Sequence, residues 1–449
     1  MLVKLLRRLK AEHKARSTAG PQDISTIPPA SQPTDEEKYV FPDVKPSREQ
    51  LPLQNPTAEW QLPLPPDVIL LILDYYLQDI TTVYNLSLAC SSLAKICRPY
   101  RLSTVSLNIQ SRVTVEDFAW SLRTYPDRIG LIQTFHITGD NPPWYSTSVD
   151  ERLCFILTRP YPKLKRLELS IGASWASIPS QFQDAFQVLF ARPALREVIF
   201  DRMQISVEML AYLPQIFSLE IRGDISWPPQ PSSGICVPTR LLICDRTPGG
   251  HVIHGLFYGN SPLKLTKLKQ MEAYVANLDA GALAIPLRMC ATTLTSLHLY
   301  TGKRNSVVPS SINLGSLTQL EDILLTCDLT EAPRYRFSRV LNTLSRLGPD
   351  PYPVRNLMQI TIILRKSRLG FTKYPRWELL DALFAPSLDV RWPKLSKVNI
   401  RIVTEDRSDE RWYVQGSTEK KIQPLMPILY GAGVLNIHAS VEALDSWHL

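Results

Sequence analysis

The chain has 449 residues, 44% of them hydrophobic and 20% charged, with 50 Lys and Arg against 42 Asp and Glu. It is too long for one compact core, and with no run of about 18 uncharged apolar residues it is read as having no membrane-spanning helix. Its 37 Pro against 18 Gly weigh against nucleotide-binding α/β enzymes, which need Gly where backbone approaches phosphate. Residues 1-16 hold six bases and one acid and residues 17-66 seven acids and three bases, so the rest of the chain carries +7 of the net +8. Spread over that length, the excess reads as ordinary surface charge, and no nucleic-acid partner is expected. Seven cysteines, widely spaced and without a Cys-x-x-Cys pair, suggest neither a disulfide framework nor a zinc site. A reducing compartment, cytoplasm or nucleus, follows as the expectation, with no cofactor.

In chain order, residues 1-18 form a basic amphipathic terminus, with Leu2, Leu5, Leu6 and Leu9 on one helical face. Residues 19-63 are rich in Pro, Ser, Thr and acids and read as a disordered linker, because too little apolar surface is present to offset the entropy of ordering. At Leu64 the character changes. Pro65 and Pro66 open a helix whose residues Val68, Ile69, Leu70, Leu71, Ile72 and Leu73 are too aliphatic for a single buried stripe. Two short helices follow from Asp79 and Ser91, each opened by a capping-type residue. Some 35 residues make a small core, so part of this apolar surface awaits a cover.

The run Leu64-Pro65-x-Asp67-Val68-Ile69-x-x-Ile72-Leu73, then Leu77, then Leu86-Ser87-Leu88-Ala89-Cys90-Ser91-x-Leu93, resembles an F-box across residues 64-101. It departs from that pattern in Asp67 for the usual Glu, one extra residue in Asp74-Tyr75-Tyr76-Leu77, and Leu93 for the usual aromatic. The resemblance implies docking on a Skp-type adaptor of a cullin ubiquitin ligase, with Leu64, Pro65, Ile69, Ile72, Leu73, Leu86, Leu88 and Leu93 forming or supporting the face. A helical cap on the following region is the alternative.

Residues 102-449 repeat a Leu-x-x-Leu-x-Leu pattern with aliphatic substitutes, as at Leu164-Leu167-Leu169, Leu195-Val198-Phe200 and Leu294-Leu297-Leu299. Ten copies are found, the last at Leu395-Val398-Ile400, and a long gap hides a degenerate copy near Leu241-Leu242-Ile243. Helical runs such as Ser180 to Phe190 and Phe337 to Leu347 precede the copies. A lone helix, turn and strand cannot bury its apolar strand face, whereas stacked units share one core. The fold class is therefore α/β: a short three-helix F-box-like module followed by an irregular leucine-rich-repeat-like solenoid. Its outward strand residues are expected to be free and to line up as the columns Glu168, Ile199, Glu220 and Ser170, Asp201, Arg222, continued by His298, Tyr300 and Arg401. Glu168, Asp201, Arg222, His298, Tyr300 and Arg401 are the expected target-binding residues.

No Gly-x-Ser-x-Gly, Gly-x4-Gly-Lys-Ser/Thr, His-Glu-x-x-His or Gly-x-Gly-x-x-Gly occurs. The one candidate enzymatic cluster is Cys244, Asp245, His251 and His254, where a thiol lies near two imidazoles. Pro248-Gly249-Gly250 makes the segment a turn, and incidental histidines are the simpler reading. Three classes thus stay open: a substrate-recruiting adaptor of a cullin-type ligase, a non-catalytic scaffold with a degenerate F-box, and an enzyme with a site around Cys244 and His251.

Overall fold

The computed structural model describes residues 68-69, 71, 80-89, 91-140, 147-225, 234-244, 251-257, 261-274, 280-301, 314-329, 333-345, 347, 354-366, 376-384, 392-404 and 415-441. By its contacts the chain divides into Met1–Gln61 and Leu62–Leu449, and all described residues belong to the second unit. The basic terminus and the linker expected at 1-18 and 19-63 lie outside them.

The protein is α/β, and the described residues form one twelve-stranded, wholly parallel sheet whose strands stand side by side in chain order. Val68, Ile69 and Leu71 are helical, and helices α1 (Ile80–Ala89) and α2 (Ser91–Ser103) precede the first strand. The second helix runs on through Pro99 to Ser103. Next come β1 (Thr104–Asn108), α3 (Arg112–Thr124), β2 (Thr134–Gly139), α4 (Thr147–Thr158), β3 (Arg166–Ile171), α5 (Ser180–Phe190), β4 (Glu197–Asp201) and β5 (Ser218–Arg222). The order continues as β6 (Arg240–Cys244), α6 (His251–Phe257), β7 (Gln270–Tyr274), α7 (Ala280–Met289), β8 (Ser296–Thr301), β9 (Asp322–Asp328) and α8 (Pro333–Ser345). It ends with β10 (Gln359–Lys366), α9 (Trp377–Phe384), β11 (Lys397–Thr404), α10 (Gln415–Ile422), α11 (Pro427–Gly431) and β12 (Leu435–Val441). A 3-10 turn, Val207–Tyr212, takes the place of a helix between β4 and β5.

Parallel neighbours need a crossover, and a helix lies in it at every step except β4 to β5, β5 to β6 and β8 to β9 among the described residues. Each strand turns alternate residues to one side, where Leu167, Leu169, Val198, Phe200, Leu219, Ile221, Leu297 and Leu299 join helix residues such as Phe182, Phe186 and Leu189 in a single buried cluster. This is the period-two register read from the sequence, and the degenerate copy at 241-243 is β6. Strand β12 was not among the expected copies.

The edge at which the strands begin is welded by shared carbonyls. The Lys165 carbonyl accepts from the amides of Arg196 and Glu197 at 2.8 and 2.9 Å, and that of Arg196 from Phe217 and Ser218 at 2.8 and 2.9 Å. The Phe217 carbonyl accepts from Thr239 and Arg240 at 2.9 and 2.8 Å, and that of Thr239 from Lys269 and Gln270 at 2.8 and 3.1 Å. At the other edge the turns pass so close that a Cβ on Gly172 or Gly223 would collide with the backbone oxygen of Asp140 or Met203. Near the C-terminus, the buried carboxylate of Asp381 on α9 accepts from the amides of Ile428 at 3.0 Å and Leu429 at 2.9 Å in the first turn of α11.

Candidate functional site

In the helical module, Ile69, Val83, Leu86, Leu93 and Cys97 are buried. Outside them lie Val68, Leu71, Tyr84 and Leu88, with Leu71 69% and Leu88 65% exposed. Val68 and Leu71 are three residues apart and Tyr84 and Leu88 four apart, so each pair shares a helix face. Arg101 lies over the Tyr84 ring at 4.8 Å and donates to Ser87 Oγ at 3.0 Å, holding α1 to α2. Of the expected adaptor-binding residues, Ile69, Leu86 and Leu93 thus sit inside the module and Leu88 on its surface, while Leu64, Pro65, Ile72 and Leu73 lie outside the described residues. Leu71 and Tyr84 were not among them. Helical periodicity could not separate Leu71 from the unbroken aliphatic run around it.

The outward side of the sheet carries the columns read from the sequence. Glu168, Ile199 and Glu220 pair in register, as do Ser170, Asp201 and Arg222. His298 and Tyr300 stand beside Leu324 and Thr326, and Arg401 beside Ile363. Contrary to the expectation from the repeat, the charged residues among them are not free. A row of charges at the strand spacing pairs with itself. His136 Nδ1 lies 3.0 Å from Glu168, Arg166 bridges Glu168 and Glu197 at 3.6 and 3.7 Å, and Arg222 pairs with Glu220. Ser170 donates to Asp201 at 2.9 Å. Arg202, just past β4 with φ of 56°, donates to Ser170 at 2.9 Å and to Asp140 at 2.5 Å.

A second group lies on β6 to β9. Arg240 meets Glu272 at 2.7 Å, His298 Nδ1 is 3.7 Å from the same carboxylate, and His298 Nε2 is 3.2 Å from Thr326 Oγ1. The His298 ring lies 3.9 Å from that of Tyr300, which is 5.8 Å from Tyr274. The hydrogen bond from His136 holds Glu168 below the usual carboxylate range, and His298, then Arg240, do the same for Glu272. Burial pushes the Tyr300 phenol up to about 12, with Glu272 adding to it. His136, Arg240 and Glu272 were missed as members of the face, although the same register that places Glu168 places them.

Cys244 ends β6 and is buried, and burial raises the thiols of Cys236 and Cys290 to about 12. His251 opens α6, but the side chains of His251 and His254 and all of 245-250 lie outside the described residues. Among the described residues no group of three or more His, Cys, Asp or Glu could hold a metal ion, and no helix is long and apolar enough to cross a membrane. No protein-family model matches the chain, and no curated protein matches it.

Proposed function

We propose that this chain is a non-catalytic recruiting subunit. On this reading residues 64-101 are an F-box-like module that docks a Skp-type adaptor of a cullin ubiquitin ligase, and residues 102-449 are a leucine-rich-repeat-like solenoid whose strand face takes a target protein. The observation that carries the reading is the outward apolar set Val68, Leu71, Tyr84 and Leu88 on helices whose inner residues are already buried. A module this small leaves such residues uncovered only at a cost that a partner removes, on the order of 1 to 3 kcal/mol for each anchor. Twelve parallel strands in chain order support the solenoid half of the reading.

Co-purification of the full chain with a Skp-type adaptor tests it. Leu71→Glu with Leu88→Glu is expected to cut capture by about tenfold or more while leaving thermal unfolding of the sheet unchanged. Equal capture of wild type and double variant would overturn the docking assignment and put the scaffold reading ahead.

A further inference from the structure

The strand face neutralises itself, but from β3 to β7 the edge at which the strands begin does not, and the first acid along that row, Glu321, comes two strands beyond Lys269. The turns entering β3, β4 and β7 carry Lys163, Lys165, Arg196, Lys264, Lys267 and Lys269, and residues 158-165, 190-196 and 261-269 contain no acid. All six side chains are exposed, and among the described residues none of them forms an ion pair. Helix C-termini attract bases, yet these six lie beyond the helices, in the turns themselves. Positive charge that looks thinly spread along the chain is gathered here, because each unit returns to the same edge.

The shared carbonyls described above fix Lys165, Arg196, Phe217, Thr239 and Lys269 as one row. At a strand spacing of about 4.8 Å, Arg196 and Lys269 stand roughly 14 Å apart, with Phe217 between them. The Phe217 ring is 50% exposed. It forms one wall of an open groove of about 620 Å³, whose other lining residues are all Lys, Thr or Gln, including Thr239, Thr266, Lys267 and Lys269.

We propose that this row binds single-stranded nucleic acid, with phosphates held by Lys165, Arg196, Lys267 and Lys269 and one base stacked on Phe217. Lysine ammonium and threonine hydroxyl groups suit phosphate oxygens. A flat exposed ring amid cations is what an unpaired base stacks on, whatever its identity. A duplex keeps its bases stacked and has no face to offer Phe217. An acidic peptide would match the charge and would have the apolar recess of about 100 Å³ between Phe190, Leu195, Leu213 and Ile216 for one side chain, so it enters the test below as a competitor. This inference stands on the edge alone and does not depend on the adaptor reading.

The test is fluorescence anisotropy of a labelled oligouridylate of roughly twelve nucleotides. It uses full-length protein in which Lys4, Arg7, Arg8 and Lys10 are changed to Gln in every arm, so that the basic terminus does not contribute. Binding is expected to weaken steeply with salt. Lys165→Gln, Arg196→Gln and Lys269→Gln together should lower affinity by at least about tenfold and flatten the salt slope by about 2. Phe217→Ala should cost roughly five- to a hundredfold and leave the slope unchanged. All four side chains are exposed, so matched thermal unfolding curves will show that the variants fold. The inference falls if Arg112, Arg376 and Arg401 changed to Gln lower affinity as much as the edge triple does. It also falls if Phe217→Ala has no effect, if a duplex of equal length binds as tightly, or if a polyglutamate peptide competes as well as unlabelled oligouridylate. Loss of adaptor capture with oligouridylate binding intact would overturn the proposed function and leave this inference standing.

Discussion

Asp381 does for α11 what a capping side chain normally does from within the helix. The residue before that helix is Met426, which offers no side-chain acceptor, and Pro427 removes one of the orphan donors. The next two amides, of Ile428 and Leu429, are satisfied by the carboxylate oxygens of Asp381 at 3.0 and 2.9 Å. Asp381 is 3% exposed, so water does not replace it when it is removed. Asp381→Ala deletes two hydrogen bonds to a charged acceptor and orphans two donors, for an expected loss of about 3 to 5 kcal/mol. Asp381→Asn keeps one acceptor oxygen but turns an amide N–H2 toward a backbone N–H, and is expected to cost about 2 kcal/mol. The effect should be local, since each strand pairs only with its neighbours in chain order. Hydrogen exchange by mass spectrometry should show lost protection at 426-441 with little change in β1 to β8, and calorimetry should show an early shoulder. If Asp381→Ala leaves exchange at Leu429 and along β12 unchanged, or costs no more than Glu378→Ala at an exposed position on the same helix, the cap has been misread.

Leu297→Ala is expected to cost about 2 to 5 kcal/mol by chemical denaturation, and His298→Ala, on the outward side with its side chain 15% exposed, about 1 kcal/mol. Equal costs would refute the register. The Glu168 carboxyl titrates below its ordinary value of about 4.3, so its contribution to stability is present above that pH and is lost as pH falls through the lowered value. His136→Ala should move the Glu168 midpoint upward in a carboxyl 13C titration, and an unmoved midpoint would show that His136 is not the cause. Gly172→Ala should destabilise by about 2 kcal/mol or more in thermal melts because the turn cannot move off Asp140, whereas Gly130→Ala, with nothing within 4 Å, should be neutral.

Much of the sheet was legible because a strand buried on one side writes its register into alternate residues, as in Leu167-Glu168-Leu169. Strand β12 escaped because Ala432 stands where the repeat needs its first large aliphatic residue before Leu435 and Ile437. The cap by Asp381 was not legible at all. Its partners lie 47 and 48 residues away, and although helical spacing from Trp377 and Phe384 puts Asp381 on the buried face, nothing local says what it caps. The ion pairs of the strand face were half legible: register set Glu168 between His136 and Ile199, but rotamers decided that Arg166 reaches both Glu168 and Glu197. The basic edge was hidden for a different reason. Net charge sums along the chain, whereas Lys165, Arg196 and Lys269 become neighbours only when about thirty residues at a time fold back to one line.

The order of the strands bears on how the molecule comes into being. No strand waits for a partner made much later, and each emerging unit finds an edge already prepared by the one before it. The first edge is seeded by the helical module, since the carbonyl of Ser103 at the end of α2 accepts from the amide of Gln133 at 2.8 Å on the way into β2. A ribosome could therefore assemble this protein as a zipper closes. Synthesis that stops early would leave a shorter sheet with one sticky border, and degradation from the C-terminus could peel strands away singly while the helical module stayed folded.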